Sequence, residues 1–146
     1  MVVDDSVVIR RLLTDIINSD PKLEVAATAP NGRIALAKLP QVNPDVVTLD
    51  VEMPELNGLE TLPKLRKLYP DLPVIMFSTL TERGAAAAVE ALARGASDYV
   101  AKPAKAANAS VAIQRVRDEL IPKIKALGSV SRPAEPPRSK PIAAPR

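Results

Sequence analysis

Five times along this chain, a short apolar run rich in β-branched residues gives way to a stretch with helical apolar spacing. That alternation constrains the fold more than any other feature. Repeated strand–helix units build a parallel sheet with helices on both faces, an α/β architecture. Right-handed crossovers then place the carboxyl ends of all the strands on one edge. Open sheets of this kind bind ligands along that edge.

The third run shows the pattern best. Val46-Val47-Thr48-Leu49 reads as a buried parallel strand and ends in a carboxylate, Asp50. Pro54 and Asn57-Gly58 then mark an irregular loop. Before it, Met1-Val2-Val3 reads as the end of a first strand running into Asp4-Asp5. Three residues are short for a central strand, which usually has about five or six, so the recorded start is expected to lie inside it. Ser6 is the expected N-cap of a helix carrying Val7, Ile9, Leu12, Leu13, Ile16 and Ile17.

A second strand is expected over 23–29, then a short helix over 33–39 closed by Pro40 and Pro44. A third helix over 59–68 contains Pro63, which is tolerable only near the first turn. A fourth strand over 74–77 ends in Ser78-Thr79, and Thr81 caps an Ala-rich helix over 82–94 with Gly95 at its C-cap. A fifth strand over 98–101 ends in Lys102-Pro103. The last helix is expected over 110–127, kinked or restarted at Pro122. From Ser129 the periodicity stops, and five prolines fall within the last 18 residues. We therefore divide the chain into a domain over 1–127 and a Pro-rich basic linker or disordered tail over 128–146.

Composition excludes several function classes. There is no Cys, hence no disulfide framework and no thiolate metal site, and no His, the commonest general base and metal ligand. The net charge of +3 is local: Arg132, Arg138, Lys140 and Arg146 against Glu135 account for it, leaving 1–128 balanced. A neutral body with three aromatic residues offers neither an electrostatic footprint nor a stacking platform for nucleic acid. No apolar run is long enough for a membrane span and no secretory leader is evident, so a cytoplasmic location without membrane insertion is expected.

The predicted edge collects Asp4 and Asp5 from the first strand, Asp50 from the third, Ser78 from the fourth and Lys102 from the fifth. Taken singly, each has an ordinary reading: a cap, a turn, a solvated lysine. Joint placement at the ends of four strands of one sheet is what carries the inference. Three ionised carboxylates need a counter-charge, and hard oxygen donors suit Mg²⁺. A lysine and a hydroxyl beside them suit a phosphoryl group. The chemistry that fits is phosphoryl transfer onto a carboxylate.

In these residues the chain resembles the receiver domains of two-component response regulators. The resemblance rests on Asp4-Asp5, Asp50, Ser78, Tyr99 and Lys102-Pro103 and covers roughly 1–127. It implies a flavodoxin-like doubly wound sheet of five parallel strands, order 2-1-3-4-5, with five helices. It implies Asp50 as phosphoacceptor, and Mg²⁺ held by Asp5, by Asp4 largely through water, by Asp50 and by the carbonyl of Glu52. It implies Lys102 as the phosphoryl contact, across a cis Lys102-Pro103 bond. Ser78 becomes the switch hydroxyl, with Thr79 the alternative, and Tyr99 the switch aromatic.

The wording of two loops, Leu49-Asp50-Val51-Glu52-Met53-Pro54 and Ser78-Thr79-Leu80-Thr81-Glu82-Arg83-Gly84, is similar to the regulatory half of chemotaxis protein-glutamate methylesterases. That resemblance implies a histidine kinase of a chemotaxis system as partner and, in a longer polypeptide, an esterase domain and chemoreceptors. No esterase activity is expected from these residues alone, because that family's triad needs a His. The alternatives are a stand-alone receiver acting as a phosphate sink or kinase competitor, and, more distantly, an aspartate-nucleophile phosphohydrolase. The latter usually places a second Asp two residues after the first, where this chain has Glu52.

Overall fold

The structure, a computed structural model, describes residues 1–79, 81–103 and 109–131. Its elements are β1 (Val2–Val3), α1 (Val7–Asn18), β2 (Thr28–Ala29), α2 (Gly32–Val42), β3 (Val47–Asp50), α3 (Gly58–Leu68), β4 (Val74–Ser78), α4 (Glu82–Ala93), β5 (Asp98–Ala101) and α5 (Ala109–Ser131). The five strands form one sheet, order β2-β1-β3-β4-β5, and every pairing is parallel. The α/β alternation and the expected strand order are both present.

Side-chain alternation along the strands supplies two cores. Val3, Val47, Leu49 and Met76 pack on one face with Ala35, Leu39, Leu62, Leu65 and Ala91 from α2, α3 and α4. Val2, Ile75, Phe77 and Val100 pack on the other with Leu13, Ile16, Val116 and Leu120 from α1 and α5. Burial on both faces explains why β3 and β4 are β-branched and apolar runs, broken only by buried Thr48, up to Asp50 and Ser78.

Three boundaries and one peptide bond differ from expectation. The strand predicted over 23–29 is paired only at Thr28–Ala29. It lies at the sheet edge, and its only neighbour, β1, offers just Val2 and Val3 as partners. The second helix does not close at Pro40 but continues to Val42 and ends at Asn43, whose φ of 47° breaks it. Buried Leu39 and partly buried Val42 hold this last turn against the core. The last helix runs through Pro122 to Ser131 without restarting, because Leu120, Ile121 and Ile124 anchor it on both sides of the proline. Residues 132–146, most of the expected tail, lie outside the described residues. The Lys102-Pro103 bond is trans, the isomer an X–Pro bond favours.

Pro63 sits in the second turn of α3, deeper than expected, and cannot donate to the carbonyl of Leu59 four residues back. Arg94, the C-cap of α4, fills the gap: its Nη1 donates to that oxygen at 2.8 Å, while Nη2 pairs with Glu90. The proline and the arginine are therefore expected to be coupled. Arg94→Ala should cost about 1 kcal/mol in urea denaturation, and much less in a Pro63→Ala background, where residue 63 regains its N–H. Additive losses in that double-mutant cycle would show the contact to be incidental.

Candidate functional site

Four of the five strands, β1, β3, β4 and β5, deliver the groups of the site at their carboxyl ends. Asp4 follows β1 and is buried, 1% exposed. Its Oδ1 accepts from the Ser6 amide at 2.9 Å, and its carbonyl accepts from Arg10 Nη1 at 2.6 Å. Ser6 caps α1 as expected, accepting from Ile9 N. Asp5 is exposed. Asp50 ends β3 and is buried, opposite Phe77 in the ladder. Lys102 follows β5, and its amide donates to the carbonyl of Ser78 at 2.7 Å, tying the ends of β4 and β5 together. Its ammonium passes over the Phe77 ring, 5.9 Å from the centroid, and reaches 3.0 Å from Asp50 Oδ1 and 3.3 Å from Asp4 Oδ2.

One carboxylate oxygen from each of Asp4, Asp5 and Asp50 falls within 4.8 Å of the others. One ammonium faces three carboxylates, so the cluster is short of positive charge. Burial, then the charge of Asp4, pushes the Asp50 carboxyl up to about 6. Burial likewise raises Asp4, against the pull of the Ser6 amide and Lys102. Burial alone would lower the Lys102 ammonium, but the hydrogen bond and charge of Asp50, together with Asp4, hold it above its ordinary value. Lys102 therefore stays charged. Asp4 Oδ2 meets no donor in hydrogen-bond geometry even though Lys102 lies beside it. A buried, under-satisfied oxygen in a set of hard oxygen donors fits a small divalent cation, and Mg²⁺ best.

The structure thus brings Asp4, Asp5, Asp50 and Lys102 together and puts Ser78 one backbone hydrogen bond away. Ser78 is buried at the strand end, whereas exposed Thr79 has its Oγ1 3.2 Å from that of Thr81, the α4 N-cap. Tyr99 is organised elsewhere: it is 41% exposed, and Lys123 of α5 donates to its carbonyl at 2.9 Å with Nζ 6.0 Å from the ring centroid. Glu52 is exposed, in a loop closed by the Gly58 amide donating to the Val51 carbonyl. Reading the sequence missed the pair that shapes this loop, Arg33 and Glu55. Asn31-Gly32 and Asn57-Gly58 read as turns leading into the second and third helices, and in the structure Asn31 and Asn57 are the N-caps of α2 and α3.

The family model for the response regulator receiver domain matches residues 1–114. The chain belongs to that family. It is 54% identical over 125 residues to the protein-glutamate methylesterase/protein-glutamine glutaminase of Trichodesmium erythraeum, covering 86% of this chain and 36% of that protein. It is equally 54% identical over 127 residues to that of Nocardioides sp., covering 87% and 35%. The receiver thus spans about a third of the length of these relatives, corresponding to their N-terminal receiver portion. Among solved structures it is similar to the response regulator domain of Thermotoga maritima CheB, with TM-score 0.77 and 43% identity over 90% of this chain and 96% of that one. The receiver domain of NtrX from Brucella abortus gives 0.72 and 32%, over 88% and 96%. Among the described residues, no helix of the receiver is long and apolar enough to cross a membrane.

Proposed function

We propose that this receiver is a phosphorylation-dependent switch whose acceptor is Asp50. The observation that carries the reading is the Lys102 ammonium held 3.0 Å from the buried Asp50 carboxylate inside an acidic cluster. An Asp50 oxygen attacks the phosphorus of a phosphohistidine on a chemotaxis-type histidine kinase. A P–O bond forms, the P–N bond breaks, and the imidazole nitrogen leaves and takes a proton. The product on this chain is an acyl phosphate.

Asp4, Asp5, Asp50 and the Glu52 carbonyl are the groups that would hold Mg²⁺, which when bound neutralises charge on the transferring phosphoryl group. Lys102 moves its ammonium from the carboxylates to a phosphoryl oxygen. The Ser78 hydroxyl donates to another, drawing the start of α4 inward, and Tyr99 changes its packing. The new surface then changes its partners by a population shift.

The methylesterase names of the relatives, of which the receiver spans a third, support a further step. In a longer cytoplasmic protein, residues 1–127 are the regulatory domain, 128–146 the link, and phosphorylation controls an esterase acting on chemoreceptors. The alternative is a receiver that works alone, as a phosphate sink or kinase competitor. The intact mass of the native protein separates the two: about 15.6 kDa means the lone receiver, and a much larger mass the esterase.

The core reading is tested with a small phosphodonor. Wild type should be labelled in Mg²⁺ and not in a chelator. Labelling that survives Asp50→Ala would refute the acceptor assignment.

A further inference from the structure

The loop between β3 and α3 turns through a strained backbone. Glu55 has φ 64°, in the left-handed region that glutamate rarely occupies. The Leu56 amide donates to the Pro54 carbonyl at 2.7 Å, which closes a γ-turn with Glu55 at its centre. A turn of this kind persists only where its surroundings hold it. Here the support comes from the start of α2. Arg33 reaches the same Glu55 oxygen with Nε and Nη2, each at 2.9 Å. Asn31 Nδ2 stands 3.5 Å from the other Glu55 oxygen. Asn31 is itself fixed, buried at 4% exposure and capping α2 through the Ile34 amide. The Gly32 amide donates to the Leu56 carbonyl at 3.1 Å, so α2 also grips the loop by its backbone.

We infer that Arg33, with Asn31, is a positioning residue for the cation site: by clamping Glu55 it holds the strained turn, and with it the Glu52 backbone, in the cation-binding form. The inference rests on the proposed Mg²⁺ role of the cluster. Neither residue touches the carboxylates. The clamp acts through the short loop that starts at Asp50 and contains both Glu52 and Glu55. Without it the γ-turn relaxes and the loop samples other conformations, so cation binding must reorder it.

Direct electrostatics gives the opposite sign. Removing the positive charge of Arg33 from the vicinity of an acidic cluster should tighten cation binding. The clamp requires that removal to weaken it.

The test is calorimetric titration of the full chain with Mg²⁺. Arg33→Ala should bind about fivefold more weakly than wild type, the equivalent of about 1 kcal/mol. In a Glu55→Gly background, where glycine adopts the turn without strain and the clamp has no carboxylate to grip, Arg33→Ala should change affinity less than about twofold. Arg33 is exposed, so both variants are expected to fold. Unchanged or tighter binding by Arg33→Ala overturns the inference alone. An equal loss in both backgrounds also overturns it, because Arg33 would then act without Glu55. No Mg²⁺ binding by wild type overturns the cation reading itself, and the clamp with it.

Discussion

Replacing Asp50 by Asn is expected to stabilise the fold while abolishing its phosphorylation. A carboxyl raised from 3.8 to about 6 is ionised at pH 7 at a cost, because burial and Asp4 disfavour its charge more than Lys102 favours it. The shift corresponds to about 3 kcal/mol. Asn keeps the shape and an oxygen for Lys102, so most of that cost should be recovered. We expect a gain of about 2 kcal/mol in metal-free buffer at pH 7, or roughly 5–10 °C in Tm.

The pH dependence has a definite sign. Between about pH 4 and 6 the folded state binds a proton at Asp50 that the unfolded state has released. Lowering the pH through that window therefore stabilises wild type relative to Asp50→Asn. The difference should be complete above pH 6 and gone below about pH 4. Asp4, raised as well, titrates with Asp50 as a pair and broadens the change. Adding Mg²⁺ at pH 7 should also narrow the gap, since only wild type keeps the full ligand set and gains binding energy. A variant less stable than wild type at pH 7, or a gap that ignores both pH and Mg²⁺, would mean that Asp50 is not charged at a cost.

Which parts of this were legible beforehand follows from how local each signal is. β3 and β4 were readable because both faces are buried, so their apolar runs end where the sheet ends, at Asp50 and Ser78. The strand-end site was then readable from topology alone, since parallel strands align their carboxyl ends. β2 was not, because an edge strand's length is set by its neighbour, and β1 offers only two residues. Pro40, Pro63 and Pro122 misled because the core, or a remote side chain such as Arg94, compensates for a missing N–H that sequence shows only as a loss. The Arg33–Glu55 clamp joins residues 22 apart on two loops that carry no shared periodicity.

The other large effect is expected at Gly58, and it depends on a distance no motif reveals. A Cβ at Gly58 would lie 2.2 Å from the carbonyl oxygen of Asp50, 3.0 Å from the Val51 Cα and 3.1 Å from the Asp50 carbonyl carbon. All three are backbone atoms, so no side chain can swing aside. Gly58 is the first residue of α3, fixed by the Asn57–Glu60 capping box and by its own amide on Val51. Gly58→Ala must therefore displace either the helix start or the backbone that carries Asp50. We expect a loss of about 2–3 kcal/mol, with labelling by a small phosphodonor reduced much more than stability, because catalysis feels shifts of about 1 Å. Gly128→Ala is the matched control. It lies within α5, its nearest neighbour would be Val46 Cγ2 at an ordinary 3.6 Å, and alanine there should be neutral or stabilising by up to about 1 kcal/mol. If Gly58→Ala unfolds at the same urea concentration as wild type and accepts phosphate normally, the close packing of α3 on the end of β3 is not what fixes Asp50.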